Sequence, residues 1–134
     1  MGRAASLAAI ERFRLACAEH PLVLVAFLGG SYAAGRARED SDIDLYVVTE
    51  PGDYAAFVAD RDRFMHSWGE PISREDVWNF EDLGFDLIVF RLAGGVRGEV
   101  ALGTRENLMQ MHGGPHDVLV DRTGMLDGIT FPLR

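Results

Sequence analysis

The chain has 134 residues, 48% of them hydrophobic, enough for one compact domain over residues 1–134 with a real core. Its net charge is −8 and every basic side chain is arginine, which excludes a phosphate-loop lysine, a Schiff-base lysine and a lysine-rich nucleic-acid patch. The acidity also makes long nucleic acid an unlikely partner, because phosphate neutralisation supplies most non-specific affinity.

Residues 3–19 alternate apolar and charged positions with helical spacing, placing Leu7, Ile10, Phe13 and Cys17 near one stripe. Cys17 is the single cysteine, so no disulfide forms within the chain and a reducing, cytoplasmic setting is expected. Pro21 stops the helix, and an apolar run from Leu22 to Leu28 predicts a strand. That run is too short to span a membrane, and the N-terminus lacks a signal-peptide layout.

Gly29-Gly30-Ser31 follows the strand and precedes Tyr32-Ala33-Ala34, which can begin a helix. Glycines at such a turn let backbone N–H groups approach an anion, a helix N-terminus favours negative charge, and Ser31 adds a hydroxyl. Eleven residues after Ser31 a second strand opens with Asp42 and Asp44. Strand side chains alternate, so both aspartates face one side while Ile43 and Leu45 face the other. Two such charges ~6 Å apart at an effective dielectric of ~20 repel by about 3 kcal/mol. A solvated strand start would tolerate them; a hard divalent cation would use them, since Mg²⁺ takes one or two carboxylates and completes its shell with water and substrate phosphates.

Beyond a turn at residues 49–53, Tyr54, Phe57, Val58 and Met65 recur at helical spacing to about His66, which is expected to cap that helix. Asp60, Arg61, Asp62 and Arg63 form its wet face. Residues 68–79 are irregular, broken by Gly69 and Pro71. Leu87-Ile88-Val89-Phe90 is a continuous apolar run, as in a strand buried on both faces. Asp86 stands at its start, where a carboxylate needs water, a partner or a metal. Residues 99–102 suggest a short returning strand, Thr104 with Asn107 a capped helix through Met111, and residues 118–120 a last strand. His112 and His116 flank a Gly-Gly-Pro loop and are expected at the surface.

The residues Gly29-Gly30-Ser31 and Asp42-Ile43-Asp44-Leu45, with Gly35, Ala37-Arg38 and Asp40-Ser41 in the spacer, resemble the signature of the nucleotidyltransferase superfamily of DNA polymerase beta. Residues 85–128 carry a further resemblance to the nucleotidyltransferase domain of lincosamide- and aminoglycoside-modifying enzymes, through an acidic residue before an apolar strand, an R-G-E segment and a late strand ending near Asp121. Together the two cover about residues 22–128. They imply an α+β nucleotidyltransferase fold: a single domain with a mixed, twisted sheet flanked by helices. Such enzymes usually continue into a C-terminal helical domain that forms much of the acceptor pocket, a segment expected to be absent here.

The resemblance implies a Mg²⁺-dependent transfer of a nucleoside monophosphate, AMP from ATP in the first instance, to a hydroxyl with release of pyrophosphate. Asp42 and Asp44 would hold the metal, and Gly30 and Ser31 the phosphates. Arg38 would reach the triphosphate, with Arg36 as second choice. In the family a third acidic residue lies on a strand beside the D-x-D strand. Asp86 fits that position, with Asp82 as fallback; it would take the acceptor proton or share a second metal. Ser41 is expected to cap the acidic loop. The acceptor is a small molecule of the aminoglycoside or lincosamide kind. Alternatively it is a protein tyrosine, as when the minimal domain serves as the antitoxin of a HEPN-type toxin. A non-catalytic nucleotide-binding module and a homodimer are also compatible with the residues.

Overall fold

The computed structural model describes residues 2–133. Helix α1 spans Gly2–Glu19 and buries Ser6, Ala9, Ile10, Phe13 and Cys17. Leu7, expected on that stripe, is half exposed; the small Ser6 and Ala9 take the inner face and let the helix approach the sheet closely. Burial also pushes the Cys17 thiol well above the ordinary range, so it behaves as a core side chain.

Six strands form one sheet in the order β3-β4-β5-β2-β1-β6. They are β1 (Val25–Leu28), β2 (Ile43–Thr49), β3 (Pro71–Val77), β4 (Asp86–Leu92), β5 (Arg97–Thr104) and β6 (Asp117–Asp121). Only β2 and β5 pair in parallel; the other four pairings are antiparallel. β1 is buried along its whole length because β2 and β6 flank it on both sides.

The expected helix through His66 is interrupted at Asp60, giving α3 (Tyr54–Ala59) and α4 (Arg61–Trp68). The break lets Phe57 and Phe64, on separate segments, both meet the ring of His20. α1, α3 and α4 cover one face, where Phe13 and Phe90 both pack edge-on against the fully buried Trp68. Truncating a buried aromatic of this kind costs about 3–5 kcal/mol.

The stretch read as irregular contains β3, an edge strand with no apolar run. Arg61 and Arg74 hold its Asp76, and Arg74 also reaches Asp62, so ion pairs do what apolar periodicity does elsewhere. The opposite face of the sheet is covered in part by α5 (Leu108–Met111) and by Leu126 and Phe131 of the C-terminal segment, packed on Val25, Phe27 and Leu87. Over β3, β4 and the start of β5 it stays open, with Glu75, Val89 and Arg91 exposed. Val89 is thus not buried on both faces as its apolar run suggested. No described helix is long and apolar enough to cross a membrane.

Candidate active site

β1 ends in the glycine turn, and the Gly29 N–H donates to the Asp44 carbonyl at 2.9 Å. Gly30 sits at φ +62°, and a Cβ there would fall 1.9 Å from Asp44 Oδ2. A Cβ on Gly29 would meet His112 Cε1 at 2.6 Å and Tyr46 Cε1 at 2.8 Å. Both glycines are therefore required by close approach, and at Gly30 by backbone conformation as well. The helix that follows, α2 (Gly30–Ala33), is a single turn, so its dipole adds little and the turn's own N–H groups matter more. Ser31 lines a groove of about 380 Å³ with Gly30, Arg36, Gly113 and Gly114. Arg38 lies in the exposed loop beyond, where its backbone N–H donates to Ser41 Oγ at 2.7 Å. Ser41 caps the acidic loop, and Arg36 is the arginine that borders the groove.

Asp44 and Tyr46 face away from the helices while Ile43, Leu45 and Val47 enter the core beneath them. Across the parallel pairing Asp44 stands beside Glu99, so two carboxylates share one row and one face. Both are half-buried. Burial, and after it the charge of Asp42, pushes the Asp44 carboxyl above its usual range. Burial, then Asp44 and Asp42, does the same to Glu99. Two adjoining hollows of about 180 and 290 Å³ open over this pair, both walled by Phe80, Phe85 and Met111.

Asp42 lies one residue ahead of β2, with Arg97 Nε 3.1 Å from its Oδ1. The structure does not bring Asp86 to these residues. Asp86 pairs with Leu102, three positions along β5 from Glu99, about 10 Å away at strand rise. By alternation it points to the helix-covered face. There the Tyr54 hydroxyl donates to its Oδ2 at 2.5 Å and the Asn79 N–H to its Oδ1 at 2.7 Å. The carboxylate that joins Asp42 and Asp44 is Glu99, within the R-G-E segment noted in the sequence. Asp82, the fallback, is exposed at φ +59° in the loop before β4.

His112, expected at the surface, is buried. Its Nδ1 lies 3.0 Å from the Tyr46 hydroxyl and its Nε2 2.7 Å from the Pro115 carbonyl. The carbonyl can only accept, so Nε2 carries the proton and Nδ1 accepts from Tyr46. The ring thereby ties the Gly113-Gly114 loop to the floor of the glycine turn.

The model of the nucleotidyltransferase domain family matches residues 10–94, well over half the chain. The chain belongs to that family. No curated protein matches it. Among solved structures this nucleotidyltransferase domain is similar to an aminoglycoside 6-adenyltransferase from Bacillus subtilis, with a TM-score of 0.51 and 12% identity. The likeness covers 78% of this chain and 36% of that one; at such identity it is a likeness of fold. The α+β architecture, with its mixed sheet and flanking helices, is the nucleotidyltransferase fold.

Among the described residues no three Asp, Glu, His or Cys side chains enclose a metal site as they stand, and Asp42 is engaged by Arg97 instead. The donor set nevertheless suits Mg²⁺. Two hard carboxylates lie side by side with their charge unbalanced, a third is one ion pair away, and open space above them admits phosphate and water.

Proposed function

We propose that this nucleotidyltransferase domain transfers a nucleoside monophosphate, adenylate from ATP in the first instance, to an acceptor hydroxyl with release of pyrophosphate and with Mg²⁺ as cofactor. The observation that supports this best is the Asp44–Glu99 pair, two half-buried carboxylates on adjacent strands against a glycine turn that leaves no room for a Cβ. Without a cation such a pair is unfavourable by a few kcal/mol, and a functional site is the usual reason to keep it.

In this reading Asp42 and Asp44 hold the metal, which when bound neutralises charge on the phosphates and the leaving group. Gly30 and Ser31 hold phosphate oxygens through backbone N–H groups and the Ser31 hydroxyl, with Arg36 and Arg38 as nearby cations. Glu99 takes the proton of the attacking hydroxyl; a carboxyl raised by burial and by two neighbouring charges is a better base than a solvated one. Asp86 is given no chemical role. The acceptor is placed over Val89 and Glu99, on the open half of the sheet. A small molecule of the aminoglycoside or lincosamide kind is proposed for it, supported by the fold shared with the adenyltransferase. A second copy of the chain is included in the proposal, since β6 leaves one sheet edge open with Val118 about half exposed.

The test is incubation with Mg²⁺ and each labelled triphosphate against aminoglycosides, lincosamides and candidate protein partners, with pyrophosphate measured. Release is expected from wild type and from Asp86→Asn, and to fall by about 100-fold or more in Asp44→Asn and Glu99→Gln. Equal release from wild type and Asp44→Asn would refute the assignment. Labelling of a protein alone would move the acceptor from a small molecule to a protein tyrosine. Triphosphate binding without release anywhere in the panel would favour a non-catalytic module.

A further inference from the structure

Asp86 has no part in the chemistry above, yet both of its oxygens are engaged. Its Oδ2 accepts from the Tyr54 hydroxyl of α3, and its Oδ1 from the backbone N–H of Asn79. It thereby joins the helix layer to the β3–β4 connection, residues 78–85. That connection is strained. Among the described residues, the three non-glycine residues at positive φ all lie in it: Asn79 at +48°, Glu81 at +50° and Asp82 at +59°. Such backbone persists only where its surroundings over-determine it. Asp86 supplies one hold, on the Asn79 N–H. Asn79 Oδ1 extends it by accepting from the Gly84 N–H at 2.8 Å, and Asn107 Nδ2 fixes the far end by donating to the Gly84 carbonyl at 2.7 Å. What is held is an apolar wall. Phe80 packs on Phe85 with ring centroids 5.6 Å apart, and both line the hollows over Asp44 and Glu99, joined by Leu83.

We propose that residues 78–85 form a lid over the reacting centre and that Asp86 is its positioning residue, holding the Phe80–Phe85 wall closed so that water is kept from Asp44 and Glu99. The inference rests on the reading of that pair as the transferase centre. There an acceptor hydroxyl and water compete for the same α-phosphorus. When water attacks ATP, its oxygen bonds to that phosphorus, the P–O bond to the β-phosphate breaks and pyrophosphate leaves. The water's proton passes to Glu99, and free AMP forms in place of an adduct. An apolar wall against the carboxylates disfavours this route, and a lid anchored by fixed bonds opens rarely. The latch needs the hydrogen-bonding pattern of Asp86 and not its charge. An asparagine there keeps an oxygen for the Asn79 N–H. Its amide then donates to the Tyr54 oxygen, whose own proton turns to the Leu102 carbonyl 2.8 Å away. An alanine keeps neither bond.

The experiment has two arms, both on the full chain. Amide hydrogen exchange followed by mass spectrometry needs no substrate. Asp86→Ala is expected to speed exchange across residues 79–85 by roughly tenfold, the scale of one lost bond to a charged acceptor, with β1 and β2 exchanging as in wild type. Asp86→Asn is expected to keep the wild-type pattern. The second arm measures free AMP from α-labelled ATP with Mg²⁺ and no acceptor. Free AMP is expected to rise roughly tenfold in Asp86→Ala, in step with lid opening, and to stay at the wild-type level in Asp86→Asn. Phe80→Ala removes the wall and leaves the latch; it is expected to raise free AMP as well, and because Phe80 is only partly buried this variant folds. A purely structural role for Asp86 would lower turnover without diverting it to water. Unchanged exchange across residues 79–85 in Asp86→Ala, an equal rise in β1 and β2, or the same rise in Asp86→Asn would overturn the latch. Free AMP at or below the wild-type level in both Asp86→Ala and Phe80→Ala would overturn the exclusion of water. Should wild type release no pyrophosphate with any acceptor, the transferase reading fails and the water-excluding role with it, while exchange alone decides the latch.

Discussion

At Gly30 the backbone and a carboxylate compete for one volume. A methyl group at 1.9 Å from Asp44 Oδ2, on a residue at φ +62°, must displace the turn or the aspartate. Gly30→Ala is therefore expected to slow pyrophosphate release in the proposed reaction by about 100-fold, the penalty for misplacing reacting groups by about 1 Å, as measured by steady-state kinetics. Asp44 and Glu99 give a prediction of opposite sign for stability. Their folded-state pKa values lie above those of the unfolded chain, so between the ordinary and the raised values the folded state binds more protons, and stability falls as pH rises through that window. Asp44→Asn and Glu99→Gln should each raise Tm at neutral pH in metal-free buffer, with the gain vanishing below the ordinary carboxylate range; differential scanning calorimetry across pH checks both. Local chemistry made Asp42, Asp44 and the Gly-Gly-Ser turn legible in the sequence, because their arrangement is set within one strand–turn–strand stretch. Glu99 was hidden in plain view. Asp86 and Glu99 are both acids flanking apolar strand residues, and only the register of β5 against β2 and β4 decides which of them meets Asp44.

Elements defined by their own periodicity were readable, and elements defined by their neighbours were not. α1, β1 and β2 carry apolar patterns, and the Thr104–Asn107 cap is a local motif whose two reciprocal bonds form as expected. β3 has polar residues at most positions and becomes a strand through Arg61, Arg74 and Asp76. His112 lies in a Gly-rich stretch typical of a loop, yet Phe27, Tyr46 and Phe131 cage its ring from distant parts of the chain. The turn after β6 shows how such a cage is held. Burial opposes the charge of Asp121, but the N–H groups of Leu126, Thr123 and Gly124 outweigh it and hold its carboxyl below the usual range. This contribution is present above the unfolded pKa and is lost as pH falls through the folded value. Asp121→Ala should cost about 1–3 kcal/mol, read from urea denaturation, and should loosen the segment that carries Phe131 against His112.

For the whole molecule, the fold class is what the resemblance at Gly29-Gly30-Ser31 and Asp42-Ile43-Asp44-Leu45 implies, and the sheet order is not legible from those residues. Only one of the five strand pairings is parallel, and it alone unites the two halves of the site. β2 can pair early with β1 across a short connection. β5 reaches β2 only after the helices and the β3–β4 hairpin between them have been spanned, and closing so long a loop before its contacts form is slow. Asp44 and Glu99 are thus separated by most of the chain's folding history. In a stopped-flow refolding experiment on a Trp78→Phe variant, which leaves Trp68 as the single tryptophan, the fluorescence change should precede recovery of Mn²⁺ affinity, which is expected to follow the slowest phase. Until β5 has docked, a nascent or partly unfolded molecule would hold a core while Asp44 and Glu99 still stand apart.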